Sequence, residues 1–175
     1  MADLLCYGEA EFNRIMRERG WTTAKKLPRN VAVISICTPF NTSVDDDWKH
    51  FFEHNNKNVY NLNIEDIDPI QFRDEFNEPV VEWRPDYFIY KKNGKDLHIF
   101  NPDEAYGLAC FIRANAGMNF YIHCALGLSR SQGIVNYILK TYPEFYDQRS
   151  LNQKNLPGEL ANKWIEYLLT KQGIK

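Results

Sequence analysis

The chain has almost no excess of either charge: 21 Lys and Arg against 23 Asp and Glu leave a formal net charge of -2 over 175 residues. That balance offers no general attraction to nucleic acid or to an anionic membrane, so recognition of an anion has to be local. No apolar run reaches the roughly 20 residues of a membrane span, and the opening residues Met1, Ala2, Asp3, Leu4, Leu5 and Cys6 lack a basic segment leading into an apolar core. The four cysteines, Cys6, Cys37, Cys110 and Cys124, form neither a C-x-x-C pair nor the spacing of a small disulfide framework. Reduced thiols in a cytoplasmic setting are therefore expected. Metal and nucleotide motifs, internal repeats and low-complexity tracts are all missing, so no cofactor is expected. With 44% hydrophobic and 25% charged residues in 20.6 kDa, residues 1–175 suffice for a single domain with its own core.

What is there alternates between two apolar periods. Residues 4–7 are a short apolar run ended by Gly8, and residues 9–19 carry Phe12, Ile15 and Met16 at helical spacing up to Gly20. Lys25, Lys26 and Arg29 around Pro28 read as a solvated basic connector. Residues 31–36 are a β-branched run of the kind shown by a strand buried on both faces, and Pro39 ends it. Trp48, Phe51 and Phe52 share a helical face behind Asp45, Asp46 and Asp47, which predicts a short helix over 45–55. Residues 59–64 alternate as a strand and run into the acidic turn Glu65, Asp66, Ile67, Asp68 and Pro69.

Asn93-Gly94 between two apolar segments predicts a β-hairpin near residues 87–100, a wall or lid beside the site. Asn101 reads as an N-cap before Pro102, Asp103 and Glu104, with Leu108, Phe111 and Ile112 as the buried face of the helix that follows. A strand over 119–123, a helix through Ile134, Val135, Ile138 and Leu139, and a last amphipathic helix from about residue 158 complete the pattern. In that last helix Leu160, Trp164, Ile165, Leu168 and Leu169 supply the apolar face. The expected fold is α/β: a central, mainly parallel sheet of about four to five strands, flanked by helices on both faces, with the hairpin inserted. Its ligand is expected at the carboxyl end of a central strand.

The densest chemistry lies in residues 120–135, FYIHCALGLSRSQGIV, a strand pattern, a short loop and a helical pattern. Five residues, Ala125, Leu126, Gly127, Leu128 and Ser129, separate Cys124 from Arg130. They can curl so that their N–H groups converge, and the following helix adds the positive end of its dipole at the same place. Such a cradle suits a dianion. A thiol at its base, near the Arg130 guanidinium, is expected to favour the thiolate and so to be nucleophilic.

His123, Cys124, Gly127, Arg130 and Ser131 resemble, at all five positions, the His-Cys-x-x-Gly-x-x-Arg-Ser signature loop of the cysteine-dependent protein tyrosine phosphatases. From about residue 30 to residue 140 the order of strand, acidic loop, helix, strand and Cys loop is similar to the compact dual-specificity branch, of bacterial type. The resemblance implies Cys124 as nucleophile, Arg130 gripping two phosphoryl oxygens, Ser131 hydrogen-bonding the thiolate, and His123 ordering the loop. It also implies an aspartate proton donor upstream. Asp66 is preferred because residues 62–67 resemble the strand-then-Asp-Ile arrangement, with Asp68 as the alternative and Glu65 third. The stretch from Asp66 to Cys124 is longer than in the compact members, and the hairpin accounts for the excess.

The variable loop positions Ala125, Leu126, Leu128 and Ser129 include no cation. This disfavours a polyanionic lipid and leaves a phosphorylated protein or a small aryl phosphate as substrate. Two other readings compete: a catalytically impaired phosphate- or phosphopeptide-binding module, and a thiol-dependent arsenate reductase or redox enzyme, which needs a second thiol near Cys124.

Overall fold

The computed structural model describes residues 1–39, 49–71, 82–84, 89–92, 95–152 and 160–174, and only the backbone of 82–84, 89–92 and 95. Four strands, β1 (Leu4–Gly8), β2 (Val31–Cys37), β3 (Val59–Asn63) and β7 (Asn119–Cys124), form one sheet in the order β1-β7-β2-β3, with every neighbouring pair parallel. All seven residues of β2 are buried because both faces of the sheet are covered. Ala32, Ile34 and Ile36 point into a large core with helices α2 (Pro102–Ala114), α3 (Arg130–Thr141) and α4 (Lys163–Lys171). Val31 and Val33 point the other way, against Phe12 and Met16 of α1 (Glu9–Glu18). The α/β architecture expected from the two apolar periods is therefore present, with four strands in the main sheet. None of its helices is long and apolar enough to cross a membrane, among the described residues.

The inserted hairpin is also present, as β5 (Ile89–Lys92) and β6 (Lys95–His98), antiparallel. The sequence did not announce its third strand, β4 (Glu82–Arg84), which pairs with β5. The Asn93-Gly94 turn lies outside the described residues. β6 runs back to the main body, where the Glu65 N–H donates to the His98 carbonyl at 2.8 Å.

Two expected helices differ. Of residues 45–55, those from 49 on are described and form bends, not helix. A side chain from β3 takes a carbonyl a helix would need: Asn61 Nδ2 donates to the Phe52 carbonyl, while Asn55 Oδ1 accepts from the Asn61 N–H and ties the segment to the strand. The last helix begins at Lys163, later than expected. Its N-cap is Asn162, whose Oδ1 accepts from the Ile165 N–H at 3.1 Å, and Leu160 is left outside the helix and exposed. Residues 153–159, including the expected start, lie outside the described residues.

Helix α2 starts as its sequence predicts. Asn101 Oδ1 accepts from the Glu104 N–H at 2.9 Å, and Glu104 Oε2 accepts from the Asn101 N–H at 3.0 Å, a reciprocal capping box. Glu104 Oε1 also meets His98 Nε2 at 2.7 Å, which ties the end of β6 to this cap. Asn101→Ala should lower stability by about 1 kcal/mol, read as a lower urea midpoint at the same m-value. An unmoved midpoint would mean that the cap contributes nothing.

Candidate functional site

β7 is an inner strand, and its carboxyl end delivers Cys124 between the ends of β1 and β2. The loop after it cannot drift away from the sheet. Gly127 has φ +75°, and a Cβ there would stand 2.5 Å from the Tyr7 carbonyl carbon and 2.6 Å from the Gly8 nitrogen. Only glycine fits this close approach to the end of β1.

Three alternate carbonyls of the loop are taken up by the surrounding protein. Ala125 accepts from the Glu9 N–H at 3.1 Å, Gly127 from the Cys6 thiol at 3.2 Å, and Ser129 from the N–H groups of Gly133 and Asn162. By contrast, none of the N–H groups of Ala125, Leu126, Gly127, Leu128 and Ser129 donates to a protein acceptor among the described residues. Carbonyls tied down and N–H groups left over at the start of a helix are the arrangement an anion fits.

Cys124 is buried, and its sulfur lies 3.2 Å from Ser131 Oγ. Cys6, on β1, donates its thiol to the same Ser131 oxygen at 3.1 Å. Burial pushes the Cys6 thiol up to about 12, so it keeps its one proton, which the Gly127 carbonyl and Ser131 Oγ share, and the Ser131 hydroxyl lies between the two sulfurs. Sequence reasoning missed Cys6, because nothing local marks a strand cysteine 118 residues upstream as a neighbour of the loop; parallel pairing of β1 with β7 brings it there.

Arg130 is fully buried. Its Nη1 donates to the Ile64 carbonyl at 2.8 Å and to Thr38 Oγ1 at 3.3 Å, and Nε stands 3.6 Å from Asp66 Oδ2. Asp66 Oδ1 accepts from Ser129 Oγ at 2.6 Å and from Asn162 Nδ2 at 3.1 Å. Asp68 is occupied elsewhere: Oδ1 accepts from the N–H groups of Ile70 and Gln71, and Oδ2 from the N–H of Lys163 at the start of α4. The structure thus brings Asp66 to the loop and uses Asp68 to close a turn and hold a helix end. Asn162, the fixed point between Asp66 and the loop, was not singled out from sequence.

Comparison with protein-family models, curated proteins and solved structures finds no match to this chain. The site therefore has to be read from its own geometry.

His123 points to the opposite face of β7, where its ring stacks on Phe12 with centroids 4.1 Å apart. Neither ring nitrogen has a hydrogen-bond partner among the described residues, so it supports the loop by packing rather than by a bond. Burial, then the nearby His50 and Arg130, pushes its pKa from the ordinary 6.5 down to about 3. No cluster of three or more His, Cys, Asp or Glu that could hold a metal occurs among the described residues.

The His123 ring gives a signed pH dependence. Unfolded, it takes a proton below about 6.5; folded, it stays neutral until about 3. Between these values the unfolded state binds more protons, so the contribution is intact above pH 6.5 and is lost as pH falls, at about 1.4 kcal/mol per pH unit. His123→Phe should show a shallower fall of the urea midpoint between pH 6.5 and 4 than the wild type. Equal slopes would refute the buried neutral ring.

Proposed function

We propose that the protein is a phosphoric monoester hydrolase of the cysteine-dependent tyrosine or dual-specificity phosphatase type. The observation that carries this reading is the loop of residues 125–129 that follows Cys124, with its alternate carbonyls taken up by neighbouring groups and its five N–H groups without acceptors among the described residues. A phosphoryl dianion suits that site better than any uncharged group.

In the first step Cys124 Sγ attacks phosphorus, the S–P bond forms, the ester P–O bond breaks, and Asp66 gives its proton to the leaving oxygen. Water then attacks the thiophosphate, Asp66 takes a proton from it, and the sulfur leaves towards the Ser131 hydroxyl. Arg130, its plane set by the Ile64 carbonyl and Thr38, supplies a planar cation for two phosphoryl oxygens. On Asp66, Oδ1 already accepts two hydrogen bonds, and Oδ2, 3.6 Å from Arg130 Nε, is the oxygen left for exchanging a proton with the leaving group. The exposed Leu126 and the uncharged loop positions favour a phosphotyrosine-, phosphoserine- or phosphothreonine-bearing protein, or an aryl phosphate, over a polyanionic lipid.

Wild type should hydrolyse para-nitrophenyl phosphate in excess chelator. Cys124→Ser should reduce turnover by at least about 10³-fold while retaining orthovanadate binding. Turnover by Cys124→Ser at the wild-type rate would sink the reading. Absence of wild-type turnover together with tight phosphopeptide binding would favour the impaired binding module.

One observation favours a second reading. A single hydroxyl, that of Ser131, touches both the Cys6 and Cys124 sulfurs, so a resolving thiol is at hand for a thiol-dependent arsenate reductase. There, arsenate would take two electrons as a Cys6–Cys124 disulfide forms. Thiol-dependent reduction of arsenate to arsenite, lost in Cys6→Ser, would support it; no reduction would dismiss it.

A further inference from the structure

Asn162 lies at the start of the last helix, where an N-cap would ordinarily be its whole role. Its surroundings go further. The residue is 1% exposed, and every polar group it offers is used across three segments. Oδ1 accepts from the Ile165 N–H, the cap itself; Nδ2 donates to Asp66 Oδ1 and to the Ile67 carbonyl, each at 3.1 Å; and its backbone N–H donates to the Ser129 carbonyl at 3.2 Å. The fit is close on the other side as well. A Cβ on Gly133, in the first turn of α3, would come 2.5 Å from the Asn162 carbonyl oxygen, so a glycine inside a helix, ordinarily unfavourable, allows the approach.

We propose that Asn162 is the positioning residue for proton donation: by pinning Asp66 Oδ1 and the Ile67 carbonyl to the Cys124 loop, it turns Asp66 Oδ2 towards the leaving oxygen. This rests on the reading of Asp66 as the proton donor. The geometry separates the tasks of one side chain, because the oxygen of Asn162 caps the helix while its amide nitrogen holds the acid. Serine or threonine at this position keeps an acceptor for the Ile165 N–H. Neither carries the two amide hydrogens that hold Asp66 Oδ1 and the Ile67 carbonyl together.

The test compares wild type, Asn162→Ser, Asn162→Thr and Asp66→Asn on para-nitrophenyl phosphate, whose phenol leaves readily, and on phenyl phosphate, whose oxygen needs the proton. A helix cap alone would scale kcat on both substrates alike. A positioning role raises the ratio of the two kcat values by about tenfold or more in both Asn162 variants, in the same direction as a larger rise in Asp66→Asn. It also flattens the basic limb of the kcat–pH profile, while the inhibition constant for orthovanadate stays within about threefold. Thermal melts confirm folding, and the threonine variant serves if the serine variant does not fold. Wild-type ratios in the Asn162 variants, with a raised ratio in Asp66→Asn, overturn the inference and leave the function standing. A wild-type ratio in Asp66→Asn, or absent wild-type turnover, removes the proton donor and this inference together.

Discussion

A buried carboxylate and a buried guanidinium face each other beneath the Cys124 loop, and the surrounding structure is arranged to make that tolerable. Taking Asp66 and Arg130 out of water costs several kcal/mol per ion unless further hydrogen bonds compensate. At 3.6 Å their contact is too long to do so alone. The compensation comes from four segments: the Ile64 carbonyl at the end of β3, Thr38 beyond β2, Ser129 in the loop, and Asn162 ahead of α4. Each must be in place for the others to be satisfied, so the junction couples the sheet ends, the loop and the last helix into one unit.

The sheet supplies the convergence. With all four strands parallel, β1, β7, β2 and β3 end along one edge, and the segments leaving that edge carry Gly8, the Cys124 loop, Thr38 and Asp66. Helices on both faces keep water from the strands, while the carboxyl edge stays polar. The three-stranded insertion meets the acidic loop through Glu65, and Ile67 packs with Ile99 and Trp164, so hairpin and final helix grip the Asp66 loop from two directions.

The two faces of β7 give neighbouring residues different roles. Cys124 looks towards α3, where the Ser131 hydroxyl lies between its sulfur and that of Cys6. His123 looks towards α1 and is held there as a neutral, stacked ring. In a strand, adjacent residues face opposite sides, so a two-residue motif becomes two environments.

Much of this was legible in the chain because it is local. The β-branched run of β2, the Asn101 capping box and the apolar period of α3 each depend on residues within a turn or two, and each formed where expected. Residues 49–55 depart from the expected helix because Asn61, on β3, takes the Phe52 carbonyl, and the late start of α4 reflects the position of its capping Asn162. From the sequence alone the chain determined which cysteine and arginine stand with five residues between them at the junction of a strand and a helix, since backbone geometry settles what so short a loop can do. Only the tertiary structure decided between Asp66 and Asp68 as neighbour of that loop, and brought in Cys6 and Asn162. Those choices depend on hydrogen bonds between residues 63 and more positions apart, for which no local pattern exists.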